Sequence, residues 1–325
     1  MSRVDSVSVL APAKVNLVLD VLGRRADGYH EVDTVLAAID LADVVDARAV
    51  DDRRGEVRLE LAGPFASPDI PRDERNLVVR AVGPLLAAVG NGRSLALRLL
   101  KSVPSQAGLG GGSSDAAAAL LAARLALGVG PDTASDITLL ASLGSDTAFF
   151  AAAQDTGVAR ARGRGESIDV LPALPAGWCI ALATPAAVAS TEAVYQSLGL
   201  DAPSAKRAER PRAWNWEDGV ALVRAELSND LERAAALAVP ELGRWRATLE
   251  GIDLDHWRLA GSGSTWFGLY PDERGARQGL AAVEAAAERA GLGVRFLGVA
   301  HPAGFGRRVV HRETGAADVH GSAVR

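Results

Sequence analysis

A glycine-rich segment opens directly onto a helix-forming run, and this junction is the part of the chain best suited to chemistry. Residues 104–115 carry glycine at four positions, and the alanine-rich run 116–121 follows. Glycines let backbone N–H groups turn toward an anion. The N-terminus of a helix adds unpaired N–H donors and about half a positive charge. The pattern therefore predicts a phosphate-binding loop.

The predicted loop consists of Pro104, Ser105, Gln106, Ala107, Gly108, Leu109, Gly110, Gly111, Gly112, Ser113, Ser114 and Asp115. Its serine hydroxyls suit phosphate or Mg²⁺, and Asp115 complements the helix dipole. A Walker loop has a lysine directly after its glycines, which this segment lacks. A dinucleotide fingerprint needs a third glycine where Ser113 stands. A plain turn capped by Ser113 or Ser114 stays open as the alternative.

Three polar residues elsewhere could act on a group held by this loop. Lys14 and Asn16 lie two apart in a predicted strand and so project from one face. Asp146 lies in the segment 144–150, which begins a predicted short helix or turn. A carboxylate can act as a general base, and an ammonium can offset developing negative charge. Taken singly, Asp146 could equally be a helix N-cap and Lys14 a strand-edge lysine.

An aromatic ring and an imidazole occur side by side in the turn-rich stretch 23–30. Tyr29 could stack on a nucleobase, and His30 could hydrogen-bond its polar edge. By itself this pair in a loop carries little weight, so its meaning depends on the other motifs.

The composition limits the class of protein. The chain has 325 residues, 48% of them hydrophobic, which suits a buried core and roughly two domains. Its net charge of −5 argues against a nucleic-acid partner, for which a basic stripe is expected. The single cysteine, Cys179, excludes an intrachain disulfide and is expected to fill core space. Without a signal peptide or an apolar run of ~20 residues, we expect a cytoplasmic protein with no membrane partner.

The elements that must position these residues alternate irregularly, in runs of strands and runs of helices. This predicts an α+β fold rather than a doubly wound parallel sheet. We place a first domain at 1–157, a second at 158–302, and a tail at 303–325 whose weak periodicity predicts partial disorder. Predicted strands cover 7–21, 35–47, 57–61, 95–103, 158–162, 167–171, 178–183, 258–260, 267–270 and 294–299. Predicted helices cover 76–89, 114–127, 132–143, 191–198, 220–227, 231–237, 240–249 and 274–290.

Several segments, in order, resemble the GHMP small-molecule kinases, a family that includes galactokinase, homoserine kinase and mevalonate kinase. They are 12–17 with 23–31, the glycine loop, 144–150, and the late glycine-serine run 261–265. The Asp-Gly-Tyr-His sequence resembles the branch that phosphorylates the 2-hydroxyl of 4-diphosphocytidyl-2-C-methyl-D-erythritol in isoprenoid precursor biosynthesis. The resemblance implies an N-terminal domain like ribosomal protein S5 domain 2, a ferredoxin-like C-terminal domain, and an active site in the cleft between them.

The resemblance also implies roles for individual residues, with ATP and Mg²⁺ as cofactors and the cytidine diphosphate sugar alcohol as small-molecule partner. The implied catalytic residues are Lys14, as electrostatic partner, and Asp146, as base. The implied ATP contacts outside the loop are Asn76 and Lys101. The implied substrate contacts are Asn16, Tyr29, His30 and Tyr195. A monomer or homodimer is expected. Another GHMP kinase acting on a different alcohol, or a nucleotide-binding regulator without catalysis, is the alternative.

One departure from the family pattern concerns the segment that carries Asp146. Thr147 and Ala148 stand where the family usually has valine and proline. Loss of the proline removes a backbone restraint, so the placement of Asp146 is the point that the structure has to test.

Overall fold

The computed structural model describes residues 4–200, 207–209, 215–252 and 257–314. In chain order the strands are β1 Val4–Arg24, β2 His30–Val50, β3 Val57–Ala62, β4 Ser94–Leu100, β5 Val158–Gly163, β6 Ser167–Val170, β7 Cys179–Pro185, β8 Ser228–Asn229, β9 Trp257–Leu259, β10 Trp266–Tyr270, β11 Val294–Ala300 and β12 Arg308–Thr314. The helices are α1 Leu77–Val89, α2 Gly111–Ala126, α3 Thr133–Leu143, α4 Thr147–Ala152, α5 Thr191–Gln196, α6 Val220–Glu226, α7 Leu231–Ala238, α8 Pro240–Glu250 and α9 Glu273–Arg289.

Within the described residues, eight strands form a first sheet built on the antiparallel pair β1 and β2. Its order is β12-β1-β2-β4-β3, while β5 and β6 extend from β2 and β8 pairs with β1. The predicted domain boundary at residue 157 falls inside this sheet, because β5 and β6 continue it. The change from the first sheet to the second comes between β6 and β7.

Helix α2 packs against β1 and β2 of the first sheet. Its alanine run, 116–119, has no exposed surface, because small side chains let a helix approach its neighbours closely. The core formed by α1 to α4 and the first sheet includes Leu95, Leu120 and Phe149. This packing fixes the N-terminus of α2, where the glycine loop ends.

The second sheet is antiparallel, with the order β11-β7-β10-β9. Its strands and main helices follow the sequence β7, α7 and α8, β9, β10, α9, β11. This βαββαβ arrangement confirms the expected ferredoxin-like C-terminal domain. A shared apolar core that includes Leu17, Leu109, Ile180 and Phe267 packs elements of the two sheets together.

The predicted C-terminal tail contains a strand that the sequence did not predict. β12, Arg308–Thr314, pairs antiparallel with β1, and the partial disorder expected within 303–325 stays a prediction. An edge strand is held by backbone hydrogen bonds, so its mixed side chains give little periodic signal. Residues 315–325 lie outside the described residues. No helix in the described parts of the chain is both long and apolar enough to cross a membrane.

Candidate active site

Lys14 lies at the centre of the candidate site, on β1. Its side chain is buried, and Nζ donates to Asn16 Oδ1 at 2.7 Å. The same ammonium lies 3.1 Å from Asp146 Oδ2. The strand face predicted to carry Lys14 and Asn16 therefore meets the segment that carries Asp146.

Asn16 is itself held in a defined orientation. Its Nδ2 donates to Thr34 Oγ1 at 2.9 Å, and that hydroxyl donates to Val18 O at 2.6 Å. Because the amide nitrogen is bonded on the Thr34 side, the amide oxygen faces Lys14. Thr34 was not singled out from the sequence, since a lone threonine in an apolar strand is an ordinary strand residue.

Asp146 directly precedes α4, yet its side chain makes no capping hydrogen bond. Asp146 therefore stands at the N-cap position of α4 without capping it through its side chain. Its carboxylate pairs with Lys14 instead, and the side chain remains 30% exposed. The Thr147 hydroxyl lies within hydrogen-bonding distance of the carbonyls of Leu140 and Gly144. These contacts restrain the turn in the place of the missing proline.

The glycine loop has the geometry of an anion cradle. Helix α2 begins at Gly111, earlier than predicted, and Gly110 before it has a φ of 68°. At Gly108, where φ is 75°, a Cβ would overlap the carbonyl oxygen of Ala260. The first-turn N–H groups of such a helix have no intrahelical partner. At Gly108, glycine is required both by the positive φ of the backbone and by the close approach of the Ala260 carbonyl.

Two buried oxygens in the first turns of α2 lack partners among the described residues. They are Ser114 Oγ and Asp115 Oδ1. Unsatisfied buried oxygens beside a glycine cradle suit a bound polar group such as a phosphate or a phosphate-bound cation. The loop residues therefore fit the group that the sequence predicted.

A buried ion cluster contacts α2 through Asp115. Lys101 Nζ donates to Asp43 and to Asp115 Oδ2, the latter at 2.7 Å. Asp43 Oδ1 also accepts from the backbone N–H groups of Ser102 at 2.5 Å and Val103 at 2.8 Å. Burial lowers the pKa of Lys101, but the two carboxylates outweigh it and the net pKa is raised.

The two residues predicted to contact adenosine have protein partners of their own. Asn76 caps α1, with its Oδ1 accepting from Val78 N–H at 2.9 Å and its Nδ2 donating to Pro71 O at 2.7 Å. Lys101 is held by the ion cluster. Their contact with ATP stays a prediction. Asp43 is a functional candidate that the sequence analysis missed, although an aspartate within an apolar strand was a usable signal.

The predicted nucleobase residues form two groups. The His30 and Tyr195 rings are 4.8 Å apart between centroids, tilted by 37°. Tyr29 is 53% exposed, and the Arg164 guanidinium lies 4.8 Å from its ring centroid. Burial raises the pKa of the Tyr195 hydroxyl, and the charge of Asp146 adds to the rise. The contact of Arg164 with Tyr29 was not predicted from the sequence.

The late glycine run contributes from the second sheet. A Cβ on Gly261 would lie 3.2 Å from Lys14 Nζ. The hydroxyls of Ser262 and Thr191 are 2.9 Å apart. The Thr265 N–H donates to Ala107 O at 3.1 Å, on the glycine loop. The site therefore lies where the two sheets meet.

Comparison with known proteins agrees with this geometry. Residues 76–154 match the family described as the GHMP kinases N terminal domain. A solved homoserine kinase from Cytophaga hutchinsonii shares the fold, with a TM-score of 0.69 at 18% identity over 94% of this chain and 98% of that one. The chain therefore has the fold of the GHMP kinases.

Sequence similarity is more specific. A 4-diphosphocytidyl-2-C-methyl-D-erythritol kinase from Heliobacterium modesticaldum is 39% identical over 85% of this chain and 90% of its own length. One from Pelotomaculum thermopropionicum is 39% identical over 84% and 92%. A crystal structure of 4-(cytidine 5′-diphospho)-2C-methyl-D-erythritol kinase aligns with a TM-score of 0.63 at 33% identity, over 90% and 99%. The chain belongs to the family of 4-diphosphocytidyl-2-C-methyl-D-erythritol kinases.

Proposed function

We propose that this chain transfers the γ-phosphoryl group of ATP to the 2-hydroxyl of 4-diphosphocytidyl-2-C-methyl-D-erythritol. The observation that supports it most directly is the Lys14–Asp146 pair, 3.1 Å apart, beside the glycine cradle. The named activity of relatives that align over most of the chain supports the choice of substrate.

In this proposal Asp146 accepts the proton of the 2-hydroxyl as that oxygen attacks phosphorus. Its partly exposed carboxylate is accessible to a substrate entering the cleft. Lys14 orients the carboxylate and stabilises negative charge on the transferring group. Asn16 accepts a hydrogen bond from the same ammonium, which leaves Lys14 little freedom to turn away.

The glycine loop would hold the phosphates through its backbone N–H groups. When bound, ATP supplies the transferred phosphoryl group and Mg²⁺ neutralises phosphate charge. Ser114 and Asp115, whose unpartnered buried oxygens were described above, are the residues that would meet the metal or the phosphate it carries. Mg²⁺ usually takes only one or two protein ligands, which agrees with so small a donor set.

The cytosine ring would be recognised by Tyr29, His30 and Tyr195. His30 Nε2 is buried without a hydrogen-bond partner among the described residues, so it is available to the polar edge of a base. Burial lowers the pKa of His30, and Arg24 lowers it further. The neutral imidazole that results can donate at one nitrogen and accept at the other.

The test is a coupled ADP-release assay over a panel of alcohols: the cytidyl substrate, homoserine, mevalonate and galactose. We expect turnover of the cytidyl substrate, and Asp146→Asn should lower kcat by about 10²–10⁴-fold. Asp155 is an exposed carboxylate in the turn that follows α4. Asp155→Asn is therefore the matched control and should retain activity. Turnover of another alcohol instead would favour a different GHMP kinase. ATP binding without ADP release would favour a regulator.

A further inference from the structure

The late glycine run 261–265, called the glycine turn below, lies beside Lys14. It is held by a segment that no sequence motif indicated. Residues 228–232 contain β8, which pairs in parallel with β1. The backbone N–H of Asp230 donates to Leu19 O at 2.9 Å. The Asp230 carboxylate accepts from Val21 N–H, also at 2.9 Å. The segment is therefore fixed to the strand that carries Lys14.

Asn229 carries the contact from this segment to the turn. Its Nδ2 donates to Leu259 O and to Gly261 O, each at 2.7 Å. Its Oδ1 accepts from Leu231 N–H at 2.8 Å. The side chain is buried, and its amide nitrogen and oxygen both have partners. A buried amide satisfied in this way has one orientation, because turning it would leave a donor or a carbonyl unpaired.

Glu232 supports the same link. Its Oε1 accepts from Leu259 N–H at 3.0 Å, while Asn229 binds the carbonyl of Leu259. The residue that leads into the glycine turn is thus held through both of its backbone polar groups. Residues 229 and 232 therefore help to fix the position of the turn, together with the hydrogen bond from Thr265 N–H to Ala107 O.

What this turn contacts decides its importance. A Cβ on Gly261 would lie 3.2 Å from Lys14 Nζ and 3.1 Å from Gly108 O. The backbone of Gly261 is therefore close both to the Lys14 ammonium and to the glycine loop. A shift of the turn would displace the ammonium and the loop together.

We propose that Asn229 is a positioning residue for Lys14 in the phosphoryl transfer described above, and the proposal rests on that function. By holding the Gly261 carbonyl in a hydrogen bond, Asn229 fixes the backbone that lies against the Lys14 ammonium. It also keeps the turn in register with the glycine loop. Asn229 acts through Gly261 and does not touch the reacting atoms.

The kinetic test is a double-mutant cycle with Lys14, measured by ADP release. Asn229→Ala should lower kcat by about 10–100-fold, since small misplacements of reacting groups cost that much, with a smaller change in the KM for ATP. In a Lys14→Met background the same change should cost less than about twofold, because coupled residues are not additive. Val283→Ala, which removes core volume from α9, controls for loss of stability and should leave kcat largely unchanged.

A second measurement is independent of the substrate. Hydrogen exchange of the backbone amides of 259–265 should be faster in Asn229→Ala than in the wild type, and unchanged in Val283→Ala. Unchanged exchange in Asn229→Ala, or an equal kcat loss with and without Lys14, would overturn the proposal. If the wild type turns over a different alcohol, the proposed function fails, and the cycle is run on that alcohol. If it turns over none, hydrogen exchange decides whether Asn229 holds the turn.

Discussion

At the scale of single residues, the site depends on how Lys14 is enclosed. Its ammonium lies 2.7 Å from Asn16 Oδ1 and 3.1 Å from Asp146 Oδ2. Removing one partner of a buried ion pair is costly, because the remaining charge is left buried without a partner and without solvent around it. The partly exposed Asp146 is the member of the pair that a substrate can reach. In the proposed mechanism, this asymmetry in exposure lets Asp146 act as base while Lys14 stays in place.

A pH prediction follows from the ion cluster under the loop. The pKa of Asp115 is raised well above its ordinary value, chiefly by burial and also by Asp43, although Lys101 lowers it. A carboxyl whose pKa is higher in the folded state stabilises the fold below the unfolded pKa of about 3.9, and this stabilisation is lost as pH rises through the folded value. The wild type should therefore lose stability relative to Asp115→Asn as the pH rises from about 4 toward neutrality.

Urea unfolding at several pH values measures this difference. Asp132→Asn is the matched control, because a hydrogen bond from Ser135 lowers the pKa of Asp132. A lowered folded pKa gives stability that is lost as pH falls, so its pH slope should have the opposite sign. Equal slopes for the two variants would contradict the assignment of Asp115.

At the scale of elements, the glycine loop and the glycine turn fit together backbone to backbone. Gly108 is the contact point, since its Cβ would overlap Ala260 O and its φ is positive. Gly108→Ala should lower the free energy of unfolding by about 2–4 kcal/mol, from overpacking and left-handed strain together. Gly112 has open space around it and a helical backbone, so Gly112→Ala should raise it by about 0.5–1 kcal/mol. Similar destabilisation in both would show that loss of glycine itself, rather than this contact, is responsible.

Most elements could be predicted from the sequence because they bury apolar faces with regular spacing. Helix α1 begins after Asn76 and α3 after Asp132, each capped by that side chain. The elements that were missed, β8 and β12, are held by backbone pairing and leave little periodic trace. Lys14 and Asp146 were found through motifs. Asn229 was not, because its function depends on contacts distant in sequence.

At the scale of the whole molecule, the site is assembled from both sheets, and the chain returns to close the structure. After β11 in the second sheet, the C-terminal segment crosses back so that β12 pairs with β1. Arg307, just before β12, is buried and donates to Ala117 O and Asp136 Oδ2, each at 2.8 Å. The C-terminal segment is thus hydrogen-bonded to α2, the helix that follows the glycine loop.

Arg307 gives the prediction that tests this closure. Asp136 is fully buried and also accepts from Arg124 Nε at 2.6 Å, so Arg307→Met would leave it with one cation in place of two. Losing one partner from a buried charge network should cost about 3 kcal/mol, measured by urea unfolding. Arg308→Met removes an exposed neighbour of the same type and should change stability by less than about 0.5 kcal/mol. If the two variants were equally stable, the C-terminal segment would contribute no more than an exposed edge strand. A loss confined to Arg307→Met would show that the C-terminal segment stabilises helix α2, which follows the glycine loop.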